Sequence, residues 1–425
     1  MSKLVHHERN GAPSRPASGI RIGFLEQYYY PDAWGGAQIP RDITTALSRA
    51  GFDVTVFCGS EAYVEGTDGG VVDPRDSGVK IARVPRLLAG QARTRKYLRH
   101  LWFCVVVAPM LVLRRPFDLY VTQTNPPLGV LVMSAVSRLM RRPLLIIAQD
   151  VYPETLIAHG ANPRSFAMRL LRRAFDAAYK SARRIVVLGP IMSRRVTAKG
   201  VAESRIVEIS NWATGADGVV RGEENRLRKD WSIGDRFVVM YSGNLGLGHE
   251  FDTLLEGFAR ARLQLPKLAL IFVGGGGRLG EVRNRVRHLG LSDEVQFRDF
   301  VAADLLPHSL GLADLSVVTL RPGFEGLMVP SKVLTYMAHR APVLYVGPHS
   351  DVTELIERSD CGFVIENGDV GGVAQALVRA ATDLEKLRQM GRRGESWLQE
   401  NLTRELALAK YVQLVDALVR RRSSS

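Results

Sequence analysis

The stretch between residues 321 and 337 carries the strongest chemical signal in the chain. It reads Arg-Pro-Gly-Phe-Glu-Gly-Leu-Met-Val-Pro-Ser-Lys-Val-Leu-Thr-Tyr-Met and follows an apolar run. A glycine-containing loop enters a helix at Pro330 and Ser331, with Lys332 in the first turn. The start of this helix offers free backbone N–H groups and the positive end of the helix dipole, and Lys332 adds a full positive charge. These residues predict an anion site that suits a pyrophosphate. A capped helix with a solvated lysine is the alternative that they leave open.

Two glycine-rich loops precede this stretch. Residues 242–249 read Ser-Gly-Asn-Leu-Gly-Leu-Gly-His and open a helical segment, which is typical of a phosphate cradle. Residues 274–280 contain Gly-x-Gly-x-x-Gly beginning at Gly275, with Asp299 about 20 residues further on. The dinucleotide fingerprint normally follows the first strand of its domain, and here it follows the second. We therefore interpret this loop as facing a nucleotide, and not as an indication of NAD.

The residues after the apolar run 295–298 are candidates for contact with a base. Backbone groups near Asp299 would meet a base edge, and Phe300 would stack on the base. A strand end with a buried phenylalanine explains the same residues equally well.

The first half of the chain has two candidate sites. Gly35 and Gly36 stand before a helical segment, where a backbone comes close to a phosphate, although a plain turn also explains them. Residues 149–154 read Gln-Asp-Val-Tyr-Pro-Glu after an apolar run. Asp150, at a strand end, is placed to accept a proton or hold a substrate hydroxyl. A helix N-cap is the alternative, and for Glu154 it is slightly favoured.

The candidate residues of both halves can act together only if strands and helices bring them to the same edge of a sheet. Short apolar runs alternate with helical segments, which predicts parallel sheets covered on both faces. Strands are predicted at residues 20–25, 52–57, 118–122, 143–148 and 184–188, then at 236–241, 268–273, 295–298, 315–320, 342–346 and 362–365. The fold class is α/β, with two doubly wound, Rossmann-like domains facing across a cleft. Ligands of such sheets bind at the carboxyl ends of the strands.

The domain boundaries follow from the same pattern. Residues 1–19 are polar and are predicted to be a disordered tail without the apolar core of a signal peptide. The first domain covers 20–210, a polar linker 211–234 and the second domain 235–393. Residues 394–421 form helices with no further strand to cover, which makes them candidates to pack back on the first domain.

Composition limits the partners. The net charge of +14 suits nucleic acid, anionic lipid or phosphorylated substrates, and no nucleic-acid-binding motif is present. Three widely separated cysteines argue against a disulfide framework and a zinc site. With no apolar run of about 20 residues, no spanning helix is expected. The partner classes that remain are membrane surfaces and phosphorylated substrates.

Residues 93–115 suggest a membrane surface. Their apolar core of 13 residues is too short to span a bilayer, carries Trp102 and Phe103, and has cations on both sides that include Arg114 and Arg115. Basic residues at 138–142 and 164–173 add to the charge. A buried helix with solvated ends is the alternative.

The chain resembles the GT-B glycosyltransferases of family 4, in particular the bacterial exopolysaccharide and O-antigen branch typified by colanic acid transferases. The resemblance rests on residues 28–36, 149–154, 241–246, 273–276 and 329–338, followed by Ala-Pro-Val at 341–343. It covers the chain from residue 20 to about 394.

The resemblance implies a retaining hexosyl or N-acetylhexosaminyl transfer from a nucleotide-sugar, with no cofactor and no essential metal. The second domain would bind the donor, and Lys332 would neutralise the leaving diphosphate while Asp150 faces the reacting sugar or the acceptor hydroxyl. The implied donor contacts are Gly35, Gly36, Asn244, Gly246, Gly275, Asp299, Phe300, Glu325, Gly326, Pro330, Ser331, Lys332 and Thr335.

The first domain would bind the acceptor, a sugar on a polyprenyl diphosphate, from the cytoplasm at the inner face of the plasma membrane. The residues expected at the acceptor or the membrane are Tyr152, Glu154, Trp102, Phe103, Arg114 and Arg115. Nucleic acid is not an expected partner.

Three positions depart from the family pattern. Thr335 stands where many members have a ribose-binding glutamate, and Gln149 stands where many have a histidine. The loop that opens the second domain has Asn244 and His249 in place of an arginine and a lysine. Other functions therefore stay open: a sugar-nucleotide epimerase of the same shape, a non-catalytic member that binds nucleotide-sugar or lipid, and, ranked last, a dehydrogenase.

Overall fold

Two parallel β-sheets form the framework of the molecule. The structure, a computed structural model, describes residues 19–30, 35–59, 73–85, 93–214 and 218–420. The predicted N-terminal tail lies outside these residues except for Gly19. Within them, one sheet has seven strands and the other has six.

The first sheet has the strand order β3-β2-β1-β4-β5-β6-β7, all parallel. Its strands are β1 (Arg21–Leu25), β2 (Asp53–Gly59), β3 (Lys80–Val84), β4 (Leu119–Gln123), β5 (Leu144–Ile147), β6 (Arg184–Val187) and β7 (Ile206–Glu208). The winding direction reverses between β1 and β4, and this reversal creates a crevice at the carboxyl ends of those two strands.

The second sheet repeats the design with the order β10-β9-β8-β11-β12-β13. Its strands are β8 (Phe237–Ser242), β9 (Leu268–Val273), β10 (Val295–Arg298), β11 (Leu315–Thr319), β12 (Val343–Val346) and β13 (Gly362–Ile365). Here the reversal lies between β8 and β11. The predicted fold class, two Rossmann-like domains, is confirmed.

Helices cover both faces of each sheet. They are α1 (Gly35–Arg49), α2 (Arg93–Val112), α3 (Pro127–Leu139), α4 (Glu154–Ala158), α5 (Phe166–Ser181), α6 (Pro190–Thr197), α7 (Arg226–Asp230), α8 (Asp252–Ala261), α9 (Leu279–His288), α10 (Leu306–Gly311), α11 (Lys332–Ala338), α12 (Asp351–Ser359), α13 (Val370–Thr382), α14 (Leu384–Asn401) and α15 (Arg404–Arg420). No helix in the described ranges has the length and apolar character needed to cross a bilayer.

The last two helices belong to different domains. Leu387, Met390 and Leu398 of α14 pack in the cores of the second domain, so this helix straddles the boundary predicted at residue 394. Helix α15 returns to the first domain, where it packs beside α1, and Tyr411 and Val415 are buried in the core that also contains residues of β1 and β2. The Arg404 guanidinium, at its start, donates to Asp42 of α1 at 2.7 and 2.9 Å.

Two strands do not appear among those predicted. Strand β3 alternates exposed and buried residues and so lacks the continuous apolar run that marks its neighbours. Strand β7 has three residues, lies at the sheet edge and is incompletely buried. Both are edge strands, which are shielded on fewer sides than the central ones.

Candidate active site

The two domains touch where the carboxyl end of β5 meets the loop before α11. Asp150 forms an isolated antiparallel bridge with Met328 of the second domain. The N–H of Val151 donates to the carbonyl of Leu327 at 2.8 Å. The loop after a first-domain strand is thereby joined to the stretch that leads to Lys332.

Lys332 is a partly buried cation at the carboxyl end of the second sheet. Its Nζ donates to the Tyr241 hydroxyl and lies 3.7 Å from the centroid of that ring. A Cβ placed on Gly243 would lie 3.5 Å from Nζ, so the ammonium borders the loop after β8. No carboxylate in the described part of the chain forms an ion pair with it. Burial lowers the pKa of this ammonium from 10.5 to about 7.

The helix that begins at Lys332 is short and is not capped by a side chain. Helix α11 has seven residues, and the Ser331 hydroxyl accepts no capping hydrogen bond. Pro330 is buried and Ser331 is exposed. The helix therefore has no side-chain cap, and the Lys332 ammonium lies against Tyr241, so the alternative of a capped helix with a solvated lysine does not describe this site.

The two glycine-rich loops pack directly on each other. The N–H of Leu245 donates to the carbonyl of Gly275 at 2.7 Å. Gly276 has a φ of +143°, and a Cβ there would lie 2.4 Å from Asn244 Oδ1. Glycine at this position thus permits the close approach of the loops. Gly246 lies in the same loop, where a Cβ would lie 3.2 Å from Asn244 Nδ2.

His249 and Arg278 complete this corner, and the sequence did not single out Arg278. The His249 Nδ1–H donates to the carbonyl of Thr319 at 2.7 Å. Burial, and then the positive charge of Lys332, lower the pKa of His249 to about 3, so the imidazole is neutral. Arg278 donates to the His249 carbonyl, which brings a guanidinium to the loop that lacks the arginine and lysine of the family pattern.

Asp150 is held beyond the end of β5 by Thr124, which directly follows the neighbouring strand β4. The N–H groups of Gln149 and Asp150 both donate to Thr124 Oγ1 at 3.0 Å. The Gln149 side chain forms two hydrogen bonds with the Asn211 amide. Burial raises the pKa of the Asp150 carboxyl to about 6, so it titrates close to neutral pH.

Asp299 and Phe300 lie at the carboxyl end of β10. The Phe300 side chain is 66% exposed. Its ring borders the glycine loop, because a Cβ on Gly274 would lie 3.1 Å from it. The alternative of a buried phenylalanine at a strand end is therefore wrong.

Three of the predicted donor contacts face the first domain or the linker. Glu325 forms an ion pair with Arg195 of α6 at 2.9 Å. Gly326 has a φ of +68° and packs against the Ile191 carbonyl. The Thr335 hydroxyl donates to the carbonyl of Thr214 at 3.1 Å. In this arrangement the three residues connect the second domain with the first domain or with the linker. Their contact with the donor stays a prediction.

Asp351 makes another contact that the sequence did not suggest. This first residue of α12 accepts hydrogen bonds from the N–H groups of Ile191 and Met192, at 2.8 and 3.2 Å, at the start of α6. A Cβ on Gly189 would lie 2.4 Å from its Oδ1. The capping box of Ser350 and Thr353 around Asp351 marks a helix start only, so the three-dimensional arrangement is what shows this role.

Glu154 and Tyr152 are part of the structural support of the first domain. Glu154 pairs with the buried Lys199 at 2.6 Å, and Lys199 also pairs with Asp176 at 3.0 Å. The Tyr152 ring stacks on Phe175, 6.1 Å between centroids. Glu154 starts α4 without capping it, because Pro153 occupies the N-cap position.

The predicted membrane residues divide between the core and the surface. Phe103 is 2% exposed and packs in the core, so the prediction that it contacts a membrane is wrong. The Trp102 Nε1–H donates to the Pro85 carbonyl at 2.9 Å. Arg114 and Arg115 are exposed. The exposed apolar residues of this face are instead Leu98, Leu101, Val105, Leu113, Leu139, Phe166 and Leu170.

Gly35 and Gly36 form the first turn of α1. Residues 31–34 lie outside the described residues, so the loop that precedes these glycines has no structural account.

Comparison with protein families matches both domains. A glycosyl transferase 4-like domain matches residues 35–212, and a glycosyl transferases group 1 domain matches residues 236–383. The boundary between the two matches falls between β7 and β8, where one sheet ends and the next begins.

Individual relatives agree with these matches. The chain is 29% identical to the probable glycosyltransferase WbjE of Pseudomonas aeruginosa, over 71% of this chain and 75% of that protein. It is 23% identical to the putative colanic acid biosynthesis glycosyl transferase WcaI of Escherichia coli, over 73% and 79%.

A solved structure shows the same fold. HepE of Anabaena, determined in complex with UDP and glucose, superposes with a TM-score of 0.71 at 18% identity. The match covers 94% of this chain and 100% of HepE. The chain belongs to the GT-B glycosyltransferases, with a glycosyl transferase 4-like domain followed by a group 1 glycosyltransferase domain.

Proposed function

We propose that this chain is a retaining glycosyltransferase that moves a sugar from a nucleotide-sugar to a saccharide on a polyprenyl diphosphate. Its product would enter a bacterial cell-surface polysaccharide. The observation that carries the proposal is Lys332, a partly buried ammonium with no carboxylate partner in the described chain, at the carboxyl ends of β8 and β11. Withdrawing a charge from water is costly unless the charge is paired, and a diphosphate would supply that pair.

The donor would lie against the second domain. Lys332 would offset the charge that develops on the leaving diphosphate, which is an electrostatic role realised most fully in the transition state. The loops at residues 242–249 and 274–280 would surround the phosphates, and Phe300 would stack on the base. HepE, which was solved with UDP and glucose, supports a nucleotide-sugar as the ligand class.

Asp150 would act on the opposite side of the cleft. With a pKa of about 6, its carboxyl is mostly ionised at neutral pH and remains able to accept a proton. It would hold the acceptor hydroxyl or the reacting sugar. The stereochemical part of the proposal, retention, rests on the resemblance to family 4.

The acceptor would reach the first domain from a membrane. Helices α2, α3 and α5 lie side by side on one face of the first sheet. This face exposes apolar side chains such as Leu101 (51% exposed) and Phe166 (75%), with Arg114, Arg115 and other arginines at its border. Such a surface suits peripheral binding to anionic lipid at the inner face of the plasma membrane.

A panel of UDP-, GDP- and dTDP-sugars with a lipid-diphosphate sugar tests the activity. A lipid-linked disaccharide whose new bond keeps the donor's anomeric configuration, determined by NMR, supports the proposal. Donor isomerisation without acceptor would identify an epimerase instead. Donor binding with no turnover throughout the panel would identify a non-catalytic member.

We also propose that the reaction needs no metal ion, because Lys332 supplies the charge beside the diphosphate. Treatment with EDTA followed by desalting is then expected to leave the initial rate within about twofold. A loss that added Mg²⁺ or Mn²⁺ restores would contradict this part of the proposal.

A further inference from the structure

Tyr241 connects the Lys332 ammonium to the glycine-rich loop that follows β8. Its side chain is buried, and it is the next-to-last residue of that strand. Its hydroxyl accepts a hydrogen bond from Lys332 Nζ and donates to the carbonyl of Asn244 at 2.8 Å. Chemistry fixes the direction of both bonds, because an ammonium has no lone pair and a carbonyl has no proton. A continuous chain of hydrogen bonds therefore runs from α11 to the loop.

The aromatic ring of Tyr241 contacts the same ammonium. Nζ of Lys332 lies 3.7 Å from the ring centroid, within the range of a cation–π interaction. Phe251 and Phe272 pack against the ring, with centroids 5.0 and 6.0 Å away, so the close-packed core of the second domain keeps the ring in place. An ammonium has three N–H groups. With one of them directed at Tyr241, two remain for the oxygens of a diphosphate.

The carbonyl that Tyr241 binds belongs to a peptide group that is held at both ends. On the other side of this peptide, the N–H of Leu245 donates to the carbonyl of Gly275 at 2.7 Å. Because a peptide group is planar, two bonds in opposite directions fix its orientation. The hydroxyl of Tyr241 thus ties the lysine to a fixed point of the two glycine-rich loops.

Tyr345 shows which part of this arrangement is structural. It is also the next-to-last residue of its strand, β12, and its hydroxyl donates to the carbonyl of Pro348, three residues further on, at 2.8 Å. Tyr241 bonds to the carbonyl three residues further on in the same way. The second partner of the Tyr345 hydroxyl is the hydroxyl of Ser350, at 2.8 Å. A tyrosine can therefore join a strand end to its loop without a lysine, and the contact with Lys332 needs a separate explanation.

We propose that Tyr241 is a positioning residue, which holds the Lys332 ammonium beside the glycine-rich loop so that it meets the leaving diphosphate without rearrangement. The inference rests on the proposed function, in which Lys332 offsets the charge on that diphosphate. A charge stabilises a transition state best when its position is set in advance, because it then needs no reorganisation during the reaction. Removal of the hydroxyl would keep the charge and allow the lysine side chain to take other rotamers.

Kinetics of Tyr241→Phe and of its matched control, Tyr345→Phe, test the inference. Each variant loses a buried hydrogen bond to a loop carbonyl, so the two midpoints of thermal unfolding should fall by similar amounts. Tyr241→Phe should lower kcat about tenfold or more and change KM for the donor less than about threefold, because the ammonium acts mainly in the transition state. Tyr345→Phe should change both constants less than about twofold. Equal kinetic losses in the two variants, or no loss in Tyr241→Phe, would overturn the inference.

The pH dependence shows whether Tyr241 acts through Lys332. Burial places the pKa of the free ammonium at about 7, so kcat/KM for the donor should fall on the alkaline side of neutral pH. A hydroxyl that accepts a hydrogen bond from an ammonium favours its charged form. Tyr241→Phe should therefore move this alkaline limb to lower pH by about half a pH unit or more. A limb that stays in place would assign Tyr241 a structural role only.

The other ionisable groups around this ammonium do not produce the alkaline limb. His249 is already neutral, with a pKa of about 3, and burial raises the pKa of the Tyr241 and Tyr336 hydroxyls above that of an ordinary phenol. Arg278, which donates to the His249 carbonyl, carries a guanidinium, a group that is not deprotonated in proteins. Across the cleft, Asp150 has a pKa of about 6 and affects the acid side of the profile.

If the parent protein transfers no sugar, the proposed function fails and calorimetry with UDP at pH 7 decides the inference. A diphosphate raises the pKa of a nearby ammonium, so binding should take up protons at Lys332. Fewer ammonium groups are protonated beforehand in Tyr241→Phe, which should increase this uptake, whereas Tyr345→Phe should leave it unchanged. An unchanged uptake in both variants, or the absence of UDP binding to the parent protein, would contradict the inference.

Discussion

Lys332 shows how one side chain works against the stability of its own fold. The unfolded-state pKa of lysine is about 10.4, whereas burial holds the native value near 7. The native state therefore binds fewer protons than the unfolded state between these values, and stability rises as pH rises from about 7 to 10. Below about 7, the full cost of burying the charge is present.

Replacement of Lys332 by methionine is expected to raise stability and remove activity. At pH 7 the free energy of unfolding should increase on the order of 1–3 kcal/mol, and the gain should shrink at pH 9.5. Turnover should fall about 100-fold or more, since a charge at the leaving group is lost. Urea unfolding at the two pH values and initial rates measure both effects.

Lys199 is the matched control, because it is a lysine withdrawn from solvent that pairs with Glu154 and Asp176. Lys199→Met removes the cation from Asp176 and leaves Glu154 with only the longer pair to Arg172 at 3.8 Å, and it should lower stability by about 3 kcal/mol. A loss of stability in Lys332→Met as well would contradict the account of an unpaired cation.

Donor binding is expected to take up a proton at Lys332. A diphosphate raises the pKa of a nearby ammonium, so between the free value near 7 and the higher bound value each pH unit should weaken donor affinity up to about tenfold. Calorimetric titration with UDP at pH 8, in buffers of different ionisation enthalpy, measures the uptake. His249 does not contribute, because its pKa lies near 3. If the Lys332→Met variant takes up the same number of protons on binding UDP, the proton uptake belongs to another group.

At the scale of elements, the alternation of strands and helices could be predicted from the sequence because central strands of parallel sheets are continuous apolar runs. Strands β9, β10 and β13 have the predicted bounds. Helix α2 shows the limit of such patterns. Its apolar residues surround the whole helix, so the sequence alone did not separate the buried Phe103 and Val107 from the exposed Leu101 and Val105. Contacts between domains, such as Asp351 with α6, have no local pattern at all.

The junction of α12 and α6 provides a prediction at this scale. Asp351→Ala should leave two N–H groups of α6 without a partner and lower the free energy of unfolding by about 1–3 kcal/mol. It should also increase the radius of gyration of the ligand-free protein in small-angle scattering, because a contact that holds the two domains together is lost.

Asp369→Ala is the control for that experiment. Asp369 caps α13 within the second domain and accepts one N–H, from Gly372. Its loss should cost about 1 kcal/mol and leave the radius of gyration unchanged. Equal radii for both variants would show that Asp351 does not hold the domains together.

At the scale of the whole molecule, the exposed apolar face of the first domain predicts peripheral membrane binding. The triple replacement of Leu98, Leu101 and Val105 by serine should reduce flotation with liposomes that contain anionic lipid about tenfold or more, because each exposed side chain loses apolar contact with lipid. The same assay at high salt should weaken binding of the parent protein, because salt screens the arginines.

Leu263→Ser tests whether the effect is specific to this face. Leu263 is 80% exposed and lies in the second domain, away from α2. Flotation of this variant should equal that of the parent. Unchanged flotation of the triple variant would contradict the proposal that this face binds the membrane.

Helix α15 has a consequence for the order in which the protein is made. Its Tyr411, Val415 and Val419 are buried in the first domain's core, although they follow the whole second domain in the chain. The first domain must therefore wait, with part of its core uncovered, until the whole second domain has been synthesised. A nascent chain stopped after the linker lacks α15, so the core of the first domain is completed only by a helix that is made after the second domain.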